Sequence, residues 1–97
     1  ITSIAKTLGA PFVTERTLTA IQRDFEEVLV IPDAEAVREI LYIAERLKVI
    51  TEPAAAVTLA AAERLRDKFN SGNNVVLILC GGNTSIKDAC GYLSLLE

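Results

Sequence analysis

The 97-residue sequence predicts an α/β chain. Three observations carry that expectation. Val75 to Leu79 are five large apolar residues without alternation, the signature of a strand covered on both faces. Glu27 to Ile31 (E-V-L-V-I) is a second short β-branched run, ended by Pro32. Between and around them, apolar residues recur at helical spacing.

Each element can be justified in order. Residues 3–8 predict a short helix stopped by Gly9, with Pro11 beyond it. Phe12 and Val13 read as a short extended piece. Thr14 is a helix cap and Glu15 suits the first turn; Leu18, Ile21 and Phe25 carry that helix to about Phe25. After the strand at 27–31, Asp33 is the expected cap of a helix whose apolar stripe is Val37, Ile40, Leu41, Ala44 and Leu47, ending near Lys48. Pro53 takes the first position of the next helix, which reaches Phe69. Residues 54–62 are small or apolar on every face except Thr58, so that end is expected to be buried. Asn70 to Asn74 form a turn, and the strand from Val75 ends near Cys80. Ser85-x-x-Asp88 is a capping box with Asp in place of Glu, opening a last helix toward Leu95. The order is α, α, β, α, α, β, α. Two strands cannot surround a two-faced strand, so the missing neighbours are expected from elsewhere: residues 1–97 read as one segment of a larger domain.

Composition narrows the function classes. The hydrophobic fraction is 51% and the charged fraction 24%, ordinary for a globular chain. No run is long and apolar enough for a membrane span, and the start lacks the pattern of a signal peptide. A net charge of −3 argues against nucleic acid as a partner. Arg64, Arg66 and Lys68 interleave with Glu63 and Asp67, as on a solvated helix face. With two cysteines and no histidine, neither a zinc site nor a Ser-His or Cys-His nucleophile pair is expected. Cys80 and Cys90 are read as reduced and the compartment as cytoplasmic. Methionine is absent even at position 1, which again reads as a piece of a longer protein.

Two places could carry chemistry. Cys80-Gly81-Gly82-Asn83 follows a strand and precedes a helix, where ligands bind in open α/β sheets and where glycines let backbone approach a ligand. The plainer alternative is a small buried residue beside a tight turn. Glu52 stands before Pro53 and an apolar helix, as a carboxylate stabilised by the helix dipole or as one held in a functional site. Asp24, Glu26, Glu27, Glu35, Glu39 and Glu45 fit exposed faces, and no lysine lies in an apolar pocket by pattern.

R-L-K-V-I-T-E-P-A-A-A (46–56), followed by V-V-L-I-L-C-G-G-N (75–83), resembles the pyridoxal-phosphate-dependent threonine/serine dehydratases, which include serine racemase and have the tryptophan synthase β-like fold. The family pattern is an E-P-x-(A/G)-A helix start and a hydrophobic strand ending S-G-G-N. Residues 2–11 look like its T-I-A-D-G-(L/I)-A segment, with Lys6 at the Asp position, and residues 33–41 also fit.

The resemblance implies a fragment of the large domain of a fold-type II enzyme, the C-terminal part of its catalytic domain. It implies pyridoxal phosphate as cofactor, with Cys80, Gly81, Gly82 and Glu52 at the cofactor pocket. Cys80 would face the pyridine nitrogen, where the family usually has Ser. A neutral donor there leaves the ring less electron-withdrawing than an aspartate partner would, which suits loss of water from a hydroxy-amino acid. Gly81 and Gly82 would leave room for the ring edge, and Glu52 would organise the pocket through hydrogen bonds. The family's S-F-K-x-R-G motif, which holds the Schiff-base lysine, and its glycine-rich phosphate loop are not among these residues. No catalytic residue and no metal ligand is therefore assigned.

The expected parent converts threonine, or serine, to a 2-oxo acid and ammonia. Its partners would be the rest of the catalytic domain upstream of Ile1, the amino-acid substrate and a second copy in a homo-oligomer. The segment does not separate dehydratase from racemase. The isolated 97 residues are expected to be inactive and prone to dimerise or aggregate. The rival reading is a non-catalytic α/β binding or assembly module; in it, the faces of residues 54–62 and 75–79 would both be covered.

Overall fold

The computed structural model describes residues 2–97. Four α-helices organise it: α1 (Glu15–Asp24), α2 (Asp33–Leu47), α3 (Pro53–Arg64) and α4 (Ile86–Gly91). Short 3-10 turns lie at Lys6–Leu8, Arg66–Lys68 and Tyr92–Leu96.

Local chemistry sets most helix ends. The Thr14 hydroxyl accepts from Thr17 N at 3.2 Å, capping α1. The Ser85 hydroxyl accepts from Asp88 N at 3.0 Å and donates to Asp88 Oδ2 at 2.6 Å, so α4 is capped where expected, with the Asp88 carboxylate bonded to the Ser85 hydroxyl in place of the backbone N–H of a capping box. Pro53 is at the first position of α3, where its missing N–H costs nothing. Lys48 closes α2 in the left-handed conformation at φ 60°, with its amide donating to Ala44 O at 3.1 Å.

The cap of α2 differs from expectation. Pro32 occupies the cap position, and Asp33 is the first helical residue. The Asp33 carboxylate turns outward instead. It accepts from Ser3 Oγ at 2.5 Å and Ile4 N at 3.1 Å, fastening the start of the chain to α2. Residues 3–8, expected as one helix, shorten to the turn at Lys6–Leu8 for the same reason. The helix expected to reach Phe69 ends at Arg64 and continues as the turn at 66–68.

The core is the seam between α2 and α3. Ala36, Val37, Ile40 and Ile43 of α2 are buried, as are Ala54, Ala55, Ala56 and Ala60 of α3. Leu59 and Tyr92 close over Ile40, Ile43 and Ala56. Alanine on α3 lets the two backbones approach, so the long side chains of α2 fill the seam. The stripe on α2 is thus rotated from the expected one: Ile43 enters the core, while Leu47 is exposed. Thr58 is accommodated by donating to Ala55 O at 2.9 Å within its own helix.

Neither predicted strand forms. Among the described residues there is no β-strand, and Val75–Cys80 exchange no backbone hydrogen bond with another segment. Both runs are extended chain, because a strand exists only when a neighbour pairs with its N–H and C=O groups. Nor is Val75–Leu79 covered on both faces. Leu77 and Leu79 line a groove with Tyr42, Ile43, Leu47 and Leu59, while Val76 is 82% exposed and Ile78 70% exposed. Of the two faces that were to separate a segment from a self-sufficient module, the alanine-rich start of α3 is covered and residues 75–79 are open.

Among the described residues, no helix is long and apolar enough to cross a membrane.

Candidate functional site: the Glu52 carboxylate and the Cys80-Gly81-Gly82-Asn83 tip

The two sequence features singled out for chemistry meet. Glu52 caps the N-terminus of α3 by position, but its side chain accepts nothing from its own helix. The carboxylate reaches across to the tip instead. Asn83 N donates to Glu52 Oε2 at 3.1 Å, and Glu52 N donates to Gly81 O at 3.2 Å. One residue therefore holds the tip through both backbone and side chain.

The two glycines are explained by contact. A Cβ on residue 81 would lie 2.8 Å from Glu52 Cδ and 2.9 Å from Oε1. A Cβ on residue 82 would lie 3.0 Å from Ile50 O. All of these distances are shorter than ordinary packing; at 82 the obstacle is backbone, so bare glycine there lets the tip lie against residue 50, whereas at 81 it is the end of the flexible Glu52 side chain. This is a different reason for the glycines than room for a ring edge.

Thr7 completes the arrangement. Its hydroxyl donates to Glu52 Oε1 at 2.9 Å across 45 positions of sequence. Thr7 sits in the Lys6–Leu8 turn, and nothing local in the sequence marks it as a partner of Glu52. Beside the site, the Thr51 hydroxyl is buried with no hydrogen-bond partner, and so is the Thr84 hydroxyl.

Cys80 is a free, exposed thiol directly before the tip, and Cys90 in α4 is also free and exposed. The plainer reading of Cys80 as a small buried residue does not hold. An exposed thiol thus stands next to backbone that Glu52 holds by two hydrogen bonds. Among the described residues, no group of His, Cys, Asp and Glu is arranged to hold a metal ion.

The charged residues away from the tip pair with one another. Arg64 donates to Glu35 from Nε at 2.9 Å and from Nη2 at 2.6 Å, and to Val30 O at 3.0 Å. The Arg64 guanidinium holds the Glu35 carboxyl below the usual carboxylate range. Lys68 pairs with Glu27 at 2.8 Å. Glu35 and Glu39 are half-buried rather than fully exposed, and burial, then the nearby Glu63 carboxylate, pushes Glu39 up.

Known proteins match this chain over most of its length. An L-threo-3-hydroxyaspartate ammonia-lyase of Pseudomonas sp is 33% identical over 81 residues, covering 84% of this chain and 24% of that protein. The biosynthetic L-threonine dehydratase IlvA of Bacillus subtilis is 30% identical over 74 residues, 76% of this chain and 17% of that protein. A serine dehydratase-like protein of Rattus norvegicus is 38% identical over 93 residues, 86% of this chain and 28% of that protein. The chain spans about a quarter of the length of the curated relatives it matches. Residues 1–81 match the family described as pyridoxal-phosphate dependent enzyme, a match that takes in Glu52 and ends at Gly81. The chain belongs to the pyridoxal-phosphate-dependent enzyme family.

Proposed function

We propose that this chain supplies one wall of the cofactor site in a pyridoxal-phosphate-dependent dehydratase acting on a β-hydroxy-amino acid, releasing a 2-oxo acid and ammonia. Threonine is the first substrate and serine the second. The relatives named above act, by name, on 3-hydroxyaspartate, threonine and serine, which share that hydroxyl. The observation that carries the reading is the direct grip of Glu52 on Gly81 and Asn83, on either side of Gly82 and next to Cys80.

Pyridoxal phosphate, when bound, supplies an electron sink for the negative charge left when the amino acid's α-proton departs. The chain's own residues have simpler tasks. Cys80 would present its thiol to the pyridine nitrogen, a weaker hydrogen-bond donor than a hydroxyl. Glu52 keeps Gly81 and Gly82 against residues 50–52, so the ring edge meets backbone of fixed position. Its two oxygens accept from the Thr7 hydroxyl and the Asn83 amide, which would leave the thiol as the tip's contact with the ring.

The remaining parts, the lysine and the phosphate loop, belong to partner sequence upstream of Ile1, and the whole protein works in the cytoplasm as a homo-oligomer. The 97 residues alone turn over neither threonine nor serine. The binding-module alternative draws on the covered start of α3, and the open 75–79 segment stands against it.

The test uses the protein with its upstream coding sequence. Purified protein should carry bound pyridoxal phosphate and release 2-oxobutyrate from threonine or pyruvate from serine. Replacing Cys80 by Ala should shift the cofactor's absorption band. A protein that binds no pyridoxal phosphate, or forms no oxo acid from any β-hydroxy-amino acid, would overturn the reading.

A further inference from the structure

The Thr7 hydroxyl bond to Glu52 is unexplained by anything local, and the pattern that residues 2–11 resemble does not supply it. Matching Ile4-Ala5 to I-A in T-I-A-D-G-(L/I)-A puts Thr7 where that pattern has glycine. We propose that Thr7 is a positioning residue: it fixes the Glu52 carboxylate and through it sets the aim of Cys80. This rests on the reading of Cys80 as the residue facing the cofactor.

The geometry gives the reason. A glutamate side chain is flexible, and one bond from Asn83 N would leave its carboxylate free to swing. Thr7 holds the second oxygen at 2.9 Å while Asn83 holds the first at 3.1 Å. The turn carrying Thr7 is itself anchored. Leu8 N donates to Ala5 O at 3.1 Å, Gly9 N donates to Lys6 O at 3.2 Å, and Ser3 and Ile4 are bound to Asp33 on α2. Position therefore passes from the rigid α2–α3 seam through Asp33, Thr7 and Glu52 to the tip. Because the Asn83 amide is bonded to that carboxylate, a swing of Glu52 would release the backbone three residues after Cys80.

The test uses the full-length protein loaded with pyridoxal phosphate, in wild-type form and as Thr7→Val, Thr7→Ser and Cys80→Ala. Three quantities are read: the cofactor's absorption band, the dissociation constant for pyridoxal phosphate, and the thermal midpoint without cofactor. Thr7→Val should shift the band as Cys80→Ala does and weaken cofactor binding about three- to tenfold, the scale of one ordinary net hydrogen bond. Thr7→Ser should restore both, with the cofactor-free midpoint unchanged across the Thr7 variants. If Cys80→Ala changes band and affinity but Thr7→Val does not, the role of Thr7 is overturned and the site stands. If Thr7→Val acts and Thr7→Ser fails to rescue, the hydroxyl is not the cause and the role is equally overturned. If Cys80→Ala changes nothing, the underlying reading of the site falls and the Thr7 role with it.

Discussion

The carboxyl carbon of Glu52 lies 2.8 Å from where a side chain at Gly81 would begin. The two residues are 29 positions apart, and each explains the other. Glycine at 81 lets the Glu52 carboxylate keep its place, and Glu52 can leave its own helix uncapped because the tip offers it the Asn83 amide.

The first prediction follows from that contact. Gly81→Ala should destabilise the chain by about 0.5–1.5 kcal/mol, the scale of the hydrogen bond to Asn83 that a displaced Glu52 carboxylate would lose. Glu52→Ala removes the obstacle, so the double variant should lose less than the sum of the two single changes. Urea unfolding of the four proteins measures the coupling, and strict additivity would mean that Gly81 is needed for another reason.

Thr51 supplies a second. Its side chain is 2% exposed and its hydroxyl has no partner. Thr51→Val keeps the shape and removes the unpaired group, so it should raise stability by about 1 kcal/mol. A loss of similar size in the thermal midpoint would reveal a hydrogen bond the hydroxyl makes in solution.

Glu39 gives a pH dependence with a definite sign. Burial, then Glu63 and Glu35, raise its pKa, against the opposing pull of Arg38. A raised carboxyl binds its proton more tightly in the folded state. Its contribution to stability is present below the ordinary carboxylate range and lost as pH rises through the folded value. Glu39→Gln should therefore be more stable than wild type at pH 7, with the advantage shrinking as pH falls into the carboxylate range. Glu35 has the opposite sign: Arg64 lowers its pKa, so its contribution is present at pH 7 and lost on acidification. Unfolding midpoints of Glu39→Gln and Glu35→Gln against pH should diverge from wild type in opposite directions.

Residues 75–79 yield the fourth. Their amides lack backbone partners, while Ile40 and Ile43 lie on the buried face of α2. In the 97-residue chain, the amides of Val76, Leu77 and Ile78 should exchange with deuterium much faster than those of Ile40 and Ile43. Protection of 75–79 that grows with protein concentration would instead mean that copies pair through this segment.

By itself the sequence determined what is local. The caps at Thr14 and Ser85, the proline opening α3 and the alanines of its buried half are properties of a few neighbouring residues, and they hold without knowledge of the rest. Glu52 and Cys80-Gly81-Gly82 were legible as unusual residues, and the family was legible in the resemblance of residues 46–56 and 75–83 to its pattern. Only the tertiary structure decided what these residues touch. Asp33 left its helix for Ser3 and Ile4, Ile43 displaced Leu47 from the core, and Thr7 found Glu52 across 45 positions. The apolar runs at 27–31 and 75–80 carried strand propensity but formed no strand. Propensity is a property of a segment, whereas pairing belongs to two segments brought together. The same holds for the site: a carboxylate and a glycine can be picked out singly, but their contact exists only once the chain has folded.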